Sequence, residues 1–312
     1  MKTKLLVGLV CAVATTSSLA VNQSPIKIAT NNWTSQIVLS HVLGQILTNS
    51  GHKVEYVSSA TKSQWFRLGS GGLHVQTEVW QGTMADKFNG MVKEGKIIDA
   101  GAHDANTREE WWYPEYVEQL CPGLPDWKAL LKCSKVFSSD GTDKGLYVTG
   151  PWGKPDQTRI RALGLNFRVK KVKSGDALWE ELKKANETKK PILMFNWTPN
   201  WVEAIYKGKF VEFPDWTQEC VSKPEWGLSK DYLYDCGNPK KGWLKKAVWS
   251  GMPEKWPCAF DIVKNMNFDN ANIAKLAAWV DVEKMTAEKA ASKWIKENKD
   301  KWQGWKTANC KS

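Results

Sequence analysis

IKIATNNWTSQIVLSHVLGQILTNSGHKVEYVSSATKSQWFRLGSGGLHVQTEVW, residues 26–80, is the stretch whose pattern decides the fold. Residues 26–29 form a short β-rich run, and Asn31 and Asn32 mark a turn. Ile37, Val38, His41, Val42, Gln45 and Ile46 then recur at helical spacing. Gly51 stops that helix. Residues 54–57 read as a second strand, 61–68 as a second helix and, after Gly69, Gly71 and Gly72, residues 74–80 as a third strand. Strands that alternate with helices in this way lie parallel, joined by right-handed crossovers, as in a doubly wound sheet.

The same order returns in the middle of the chain. Residues 145–149, 168–173 and 191–197 read as strands, with helices at 157–163 and 176–185 between them. Two lobes of similar build are therefore expected, and a chain of 312 residues is near the size at which one core becomes two. The tail predicts helices at 271–282 and 286–302, the latter with Thr286 as N-cap. They have no third sheet to serve and are expected to return to the first lobe. The chain then crosses between lobes near residues 108 and 215. Residues 21–107 with 216–312 make lobe one, and residues 108–215 make lobe two.

Residues 1–20 read as a secretory signal: Lys2 and Lys4, an apolar stretch over residues 5–14, and a small-x-small cleavage site at Ser18, Leu19 and Ala20. Beyond them no apolar run reaches the ~18–20 residues that cross a bilayer, which excludes a channel or permease. Export implies an oxidising compartment, where cysteines pair. Cys121, Cys133, Cys220, Cys236, Cys258 and Cys310 follow the signal, with no CxxC pair and no histidine at zinc-finger spacing. Short loops favour Cys121 with Cys133 and Cys220 with Cys236, leaving Cys258 for Cys310.

Lys2 and Lys4 leave with the signal, which lowers the formal charge from +11 to +9. Only Arg67, Arg108, Arg159, Arg161 and Arg168 carry the forked guanidinium suited to phosphate, and the lysines are scattered along helix faces. The charge therefore reads as a solvated surface, with no nucleic-acid partner.

Tryptophan is the anomaly: 19 copies against 7 Tyr and 9 Phe. In doubly wound sheets ligands bind beyond the carboxyl ends of the strands, and four indoles fall there. Trp33 follows the first strand of lobe one and Trp80 closes its third; Trp152 and Trp197 hold the same places in lobe two. If the lobes face one cleft, the four converge. A methylated ammonium has no N–H to donate, so it is held by dispersion and by the negative faces of aromatic rings, of which indole is the best. The competing reading makes them four ordinary core residues. Glu78 lies two residues before Trp80, hence on the same face of the strand. It is either the charge that complements a cation or an exposed strand carboxylate. Trp112 and Trp201 stand near a crossing and a strand end and are second-tier candidates.

At these residues the chain resembles the substrate-binding proteins of ABC importers for glycine betaine, proline betaine, choline and trimethylamine N-oxide. The likeness rests on LGSGGLHVQTEVW (68–80), WWYPEY (111–116), GPWGK (150–154) and FNWTPNW (195–201), and covers nearly the whole chain after the signal. It implies an α/β, two-lobed periplasmic binding protein of type II-like build. Each lobe would be a doubly wound mixed sheet with flanking helices, and the ligand would sit in the interlobe cleft. It also implies a Trp box that Trp80, Trp152 and Trp197 match and Trp33 completes. The abundance of Trp and the segment from Cys121 to Cys133 look most like the trimethylamine N-oxide branch.

The expected protein is thus a monomeric binder without a cofactor or metal, which captures a methylated amine, closes, and hands it to a separate ABC permease and ATPase. Glycine betaine or choline is the alternative ligand. No P-loop, GxSxG or HExxH occurs and there are four His, so an enzyme lacks its usual parts. A secreted carbohydrate-binding module is the more distant alternative, and it would need Asp, Asn and Arg crowded at the same strand ends.

Overall fold

The computed structural model describes residues 24–310, and the stretch read as an export signal lies outside them. β1 (Ile26–Thr30) pairs in parallel with β2 (Val54–Ser58) along its whole length, and with β3 (Val75–Trp80) at Ile28. Between β1 and β2, α1 (Thr34–Asn49) buries Val38, Leu39, Val42, Leu43, Ile46 and Leu47, the two-per-turn stripe of a helix laid on a sheet. Gly51 ends it in the left-handed region (φ 84°), a conformation that costs glycine little. α2 (Gln64–Gly69) precedes β3, and α3 (Gln81–Lys93) leads out of it.

The long strand β4 (Ile97–Pro114) follows α3. A short α4 (Leu130–Cys133) and β5 (Gly145–Thr149) come next, then α5 (Asp156–Ala162), β6 (Phe167–Lys171), α6 (Gly175–Thr188) and β7 (Leu193–Thr198). Here β5 pairs in parallel with both β6 and β7. α7 (Val202–Ile205) and the short β8 (Gly208–Phe210) precede β9 (Gly242–Trp249). The chain ends in α8 (Met252–Lys255), α9 (Pro257–Asn265), α10 (Asn270–Asp281), α11 (Ala287–Glu297) and α12 (Lys299–Gln303). Among the described residues no helix is long and apolar enough to cross a membrane.

The strands run β2-β1-β3-β9-β4-β7-β5-β6, with β8 on β4. β9 enters between β3 and β4, antiparallel to both. β4 is shared by the two lobes: it pairs with β9 as far as Thr107, and from Arg108 onward it pairs with β7. Each lobe is therefore a mixed sheet, parallel at its outer strands and antiparallel where β4 runs. α10 and α11 pack against α1, and the expected helix at 286–302 divides at Asn298 into α11 and α12. Thr286 caps α11 by accepting from the Lys289 N–H. The cysteines pair as Cys121–Cys133, Cys220–Cys236 and Cys258–Cys310.

Candidate functional site

The carboxyl ends of β1, β3, β5 and β7 face one another across the cleft, and the four indoles stand there. Trp33 occupies the N-cap of α1, and Trp80 closes β3 and caps α3. Trp152 follows β5 with its ring folded back over Gly150, where a Cβ would collide with the indole. Trp197 is the penultimate residue of β7. Together with Thr83, Met84, Glu109 and Phe195 they line a small cavity. Trp152 and Trp197 meet edge to face, with centroids 5.2 Å apart at 81°, and Phe195 lies 5.4 Å from Trp152. All four Trp are buried, 4–6 % exposed.

Glu78 does not line this cavity. Its Oε2 accepts the indole N–H of Trp33 at 2.7 Å, that of Trp80 at 3.0 Å and the Ser35 hydroxyl at 3.0 Å. The carboxylate thus stands behind two walls of the cage and fixes their ring planes. Burial pushes its pKa up to about 7, against the pull of those three hydrogen bonds. Oε1 is buried without a hydrogen-bond partner among the described residues.

A different carboxylate lines the cavity. Glu109 sits on β4 directly opposite Trp197 of β7. Its Oε1 accepts from Lys154 Nζ at 3.0 Å and from the Thr83 hydroxyl. Its Oε2 is buried with no partner among the described residues, and a Cβ at Gly82 would stand 2.6 Å from it. Lys154, from the GPWGK stretch, also lies over the Phe195 ring at 4.6 Å. Sequence reading missed Glu109 because β4 itself was not foreseen; its nearest signal was the adjacent WWYPEY.

Trp112 is absent from the lining as well. It lies three residues further along β4, roughly 10 Å on an extended strand, fully buried and paired with Phe210 of β8 and Met194 of β7. Trp201 sits behind Trp197 with Trp179 between them.

The two lobes meet around the cage. Trp152 Nε1 donates to Asn32 Oδ1 at 3.0 Å, and the Gly175 N–H donates to the Asn32 carbonyl at 3.3 Å. Each bond joins the β5–β7 lobe to the turn after β1, so the cleft is closed.

Residues 24–297 match the model of a family described as the substrate-binding domain of the ABC-type glycine betaine transport system. A trimethylamine N-oxide-binding protein of Pelagibacter ubique (strain HTCC1062) is 39% identical over 303 residues, which are 94% of this chain and 94% of that one. Among solved structures, an ABC-transporter choline-binding protein in complex with choline superposes with a TM-score of 0.72 at 16% identity, over 90% of this chain and 91% of that one. A lactococcal OpuAC in its closed-liganded conformation with glycine betaine gives 0.69 at 17% identity, over 91% of this chain and 100% of the other. At such identities the likeness to these two structures is one of fold.

Proposed function

The chain belongs to the family of substrate-binding domains of ABC-type glycine betaine transport systems, and from that premise we propose that its ligand is trimethylamine N-oxide, held in the cage of Trp33, Trp80, Trp152 and Trp197. The observation that carries this reading is the composition of the cavity wall. Four indoles and Phe195 offer rings to three methyl groups, and the polar lining is confined to Thr83 and Glu109. The cage N–H donors of Trp33 and Trp80 are taken by Glu78, and that of Trp152 by Asn32. A glycine betaine carboxylate needs two or more donors and would face the Glu109 carboxylate instead. Trimethylamine N-oxide has one oxygen, and an ammonium has three N–H donors, of which Lys154 gives one to Glu109. Each desolvated contact between the methylated nitrogen and an indole face is worth about 2 kcal/mol.

Choline is the second reading, favoured by Glu109, whose Oε2 has no hydrogen-bond partner among the described residues and can accept a ligand hydroxyl. Glu78, when ionised, adds negative charge behind the rings for either ligand.

The remaining features follow from a captured cargo. Lobe one comprises residues 21–107 with 216–312, and lobe two residues 108–215, hinged where β4 changes partner. The protein works as a monomer in the periplasm, closes on its ligand and delivers it unchanged to a permease and ATPase. Calorimetric titration of the purified protein against trimethylamine N-oxide, choline and glycine betaine tests this. Trimethylamine N-oxide is expected to bind tightest and betaine weakest; betaine binding tightest would overturn the assignment.

A further inference from the structure

A second polar junction joins the lobes behind the cage. Trp201, just beyond β7, donates its indole N–H to Asp281 Oδ2 at 2.6 Å, and the Thr34 hydroxyl donates to Oδ1 of the same carboxylate at 2.7 Å. Asp281 is the last residue of α10, which packs on α1, and Thr34 opens α1. Asp281 and Thr34 therefore move with lobe one and Trp201 with lobe two. The junction is also wired to the cage walls. Thr34 directly follows Trp33, and Trp201 reaches Trp197 through Trp179, with centroids 5.5 and 4.9 Å apart.

We propose that Asp281 is an affinity-setting positioning residue: it latches the closed cleft through Trp201, touches no ligand, and so slows the release of every ligand by the same factor. The proposal rests on the reading of the cage as the ligand site. Opening the cleft leaves the Asp281–Thr34 bond intact, because both partners belong to one lobe. It breaks the Trp201 bond, a hydrogen bond to a carboxylate that is partly shielded from water, so the contact exists only in the closed form. An interaction made in one conformation only shifts the population toward that conformation, whatever ligand is bound. Burial already raises the Asp281 pKa, with Asp176 adding to the rise and Thr34, Trp201 and Lys284 opposing it, which marks the site as partly desolvated in the closed form.

The test uses Trp201→Phe, which keeps a ring against Trp179 and removes the N–H, together with Asp281→Ala and the double variant. Stopped-flow tryptophan fluorescence with trimethylamine N-oxide and with choline reads association and dissociation separately. For each single variant, dissociation is expected to quicken roughly tenfold, the size of one hydrogen bond to a charged group. Association should change less than about twofold, and the factor should be the same for both ligands. The double variant should be no worse than Asp281→Ala, because the cycle removes one shared contact. Ligand-dependent losses would place the residues in the cage, and additive losses would separate Trp201 from Asp281; either overturns the latch. Variants that release ligand at the wild-type rate remove the latch alone. A wild type that binds no methylated amine removes the functional reading and the latch with it.

Discussion

Trp33 donates its indole N–H to Glu78 Oε2 at 2.7 Å, so the carboxylate stands at the edge of a ring that lines the cavity. A negative charge in the plane of an indole, bonded to its N–H, adds electron density to the face beyond. The charge is conditional, because burial holds the Glu78 pKa near 7. A cationic ligand favours the ionised form, and choline affinity is therefore expected to rise between pH 6 and pH 8. Glu78→Gln should abolish that rise and weaken choline roughly tenfold at pH 8, about 1.4 kcal/mol. Calorimetry at three pH values checks it, and a pH profile unchanged in the variant would detach Glu78 from binding.

The same group carries a stability signature of definite sign. Its pKa in the folded protein, about 7, lies above the ordinary 4.5. The stability it contributes is therefore complete below pH 4.5 and lost as pH rises through 7. Glu78→Gln is expected to melt closer to wild type at pH 5 than at pH 8, where the variant should gain by about 3 kcal/mol, or roughly 5–10 °C. Differential scanning calorimetry of the ligand-free proteins reads the difference.

His103 acts in the opposite direction. It is fully buried beside Phe268 with Nε2 at 3.0 Å from the Thr77 carbonyl, and burial first, then the charge on Lys246, hold its pKa down to about 3. A histidine kept neutral in the fold contributes stability that is complete above its ordinary 6.5 and lost as pH falls toward 3. Acid unfolding is expected to begin below pH 6, and His103→Gln should flatten that limb of the melting profile. An unaltered acid limb would assign it to other groups.

The four cage positions were legible because a strand end followed by a helix is a local pattern, and Trp33, Trp80, Trp152 and Trp197 each sit at one. Glu109 was not, because β4 is a long strand whose middle, GAHDANTREE, lacks alternation and shifts register twice against β9. β9 was missed for a related reason: Lys245 and Lys246 stand side by side in it. Only the fold reveals that Lys245 pairs with Asp99 while the buried Lys246 ammonium bonds the carbonyls of Lys264 and Met266. Parity along a strand put Glu78 on the face of Trp80, as its bond to that indole requires. It could not tell a carboxylate beside a ring from one beneath the ligand.

Glu109 supplies the selectivity prediction. It lines the cavity, and its Oε2 has no hydrogen-bond partner among the described residues, so a betaine carboxylate in the cavity would be repelled. Glu109→Gln removes the charge at nearly constant size and leaves Lys154 free to meet an anionic ligand. Glycine betaine is expected to gain about tenfold relative to choline, the size of one unfavourable charge pair at a partly screened site. Equal changes for the two ligands in parallel titrations would show that Glu109 does not sense the ligand's anionic end.

Trp152 distinguishes a cage wall from a core filler. It meets Trp197 edge to face within its own lobe and bonds Asn32 across the cleft at 3.0 Å, so the Asn32 bond belongs to the closed form. Trp152→Ala should weaken trimethylamine N-oxide roughly thirtyfold, about 2 kcal/mol for one lost cation–π contact, while the ligand-free protein keeps its melting temperature within a few degrees. Binding to the closed form alone stabilises by mass action, about 2.7 kcal/mol at a hundredfold excess of ligand over Kd, or roughly 5–10 °C for a chain of this size. At the same ligand concentration the variant should keep only a small part of that rise, and small-angle scattering should show compaction on ligand addition in wild type but much less in the variant. A variant that no longer folds would make Trp152 part of the core, and one that melts and compacts like wild type would take its ring out of the cage.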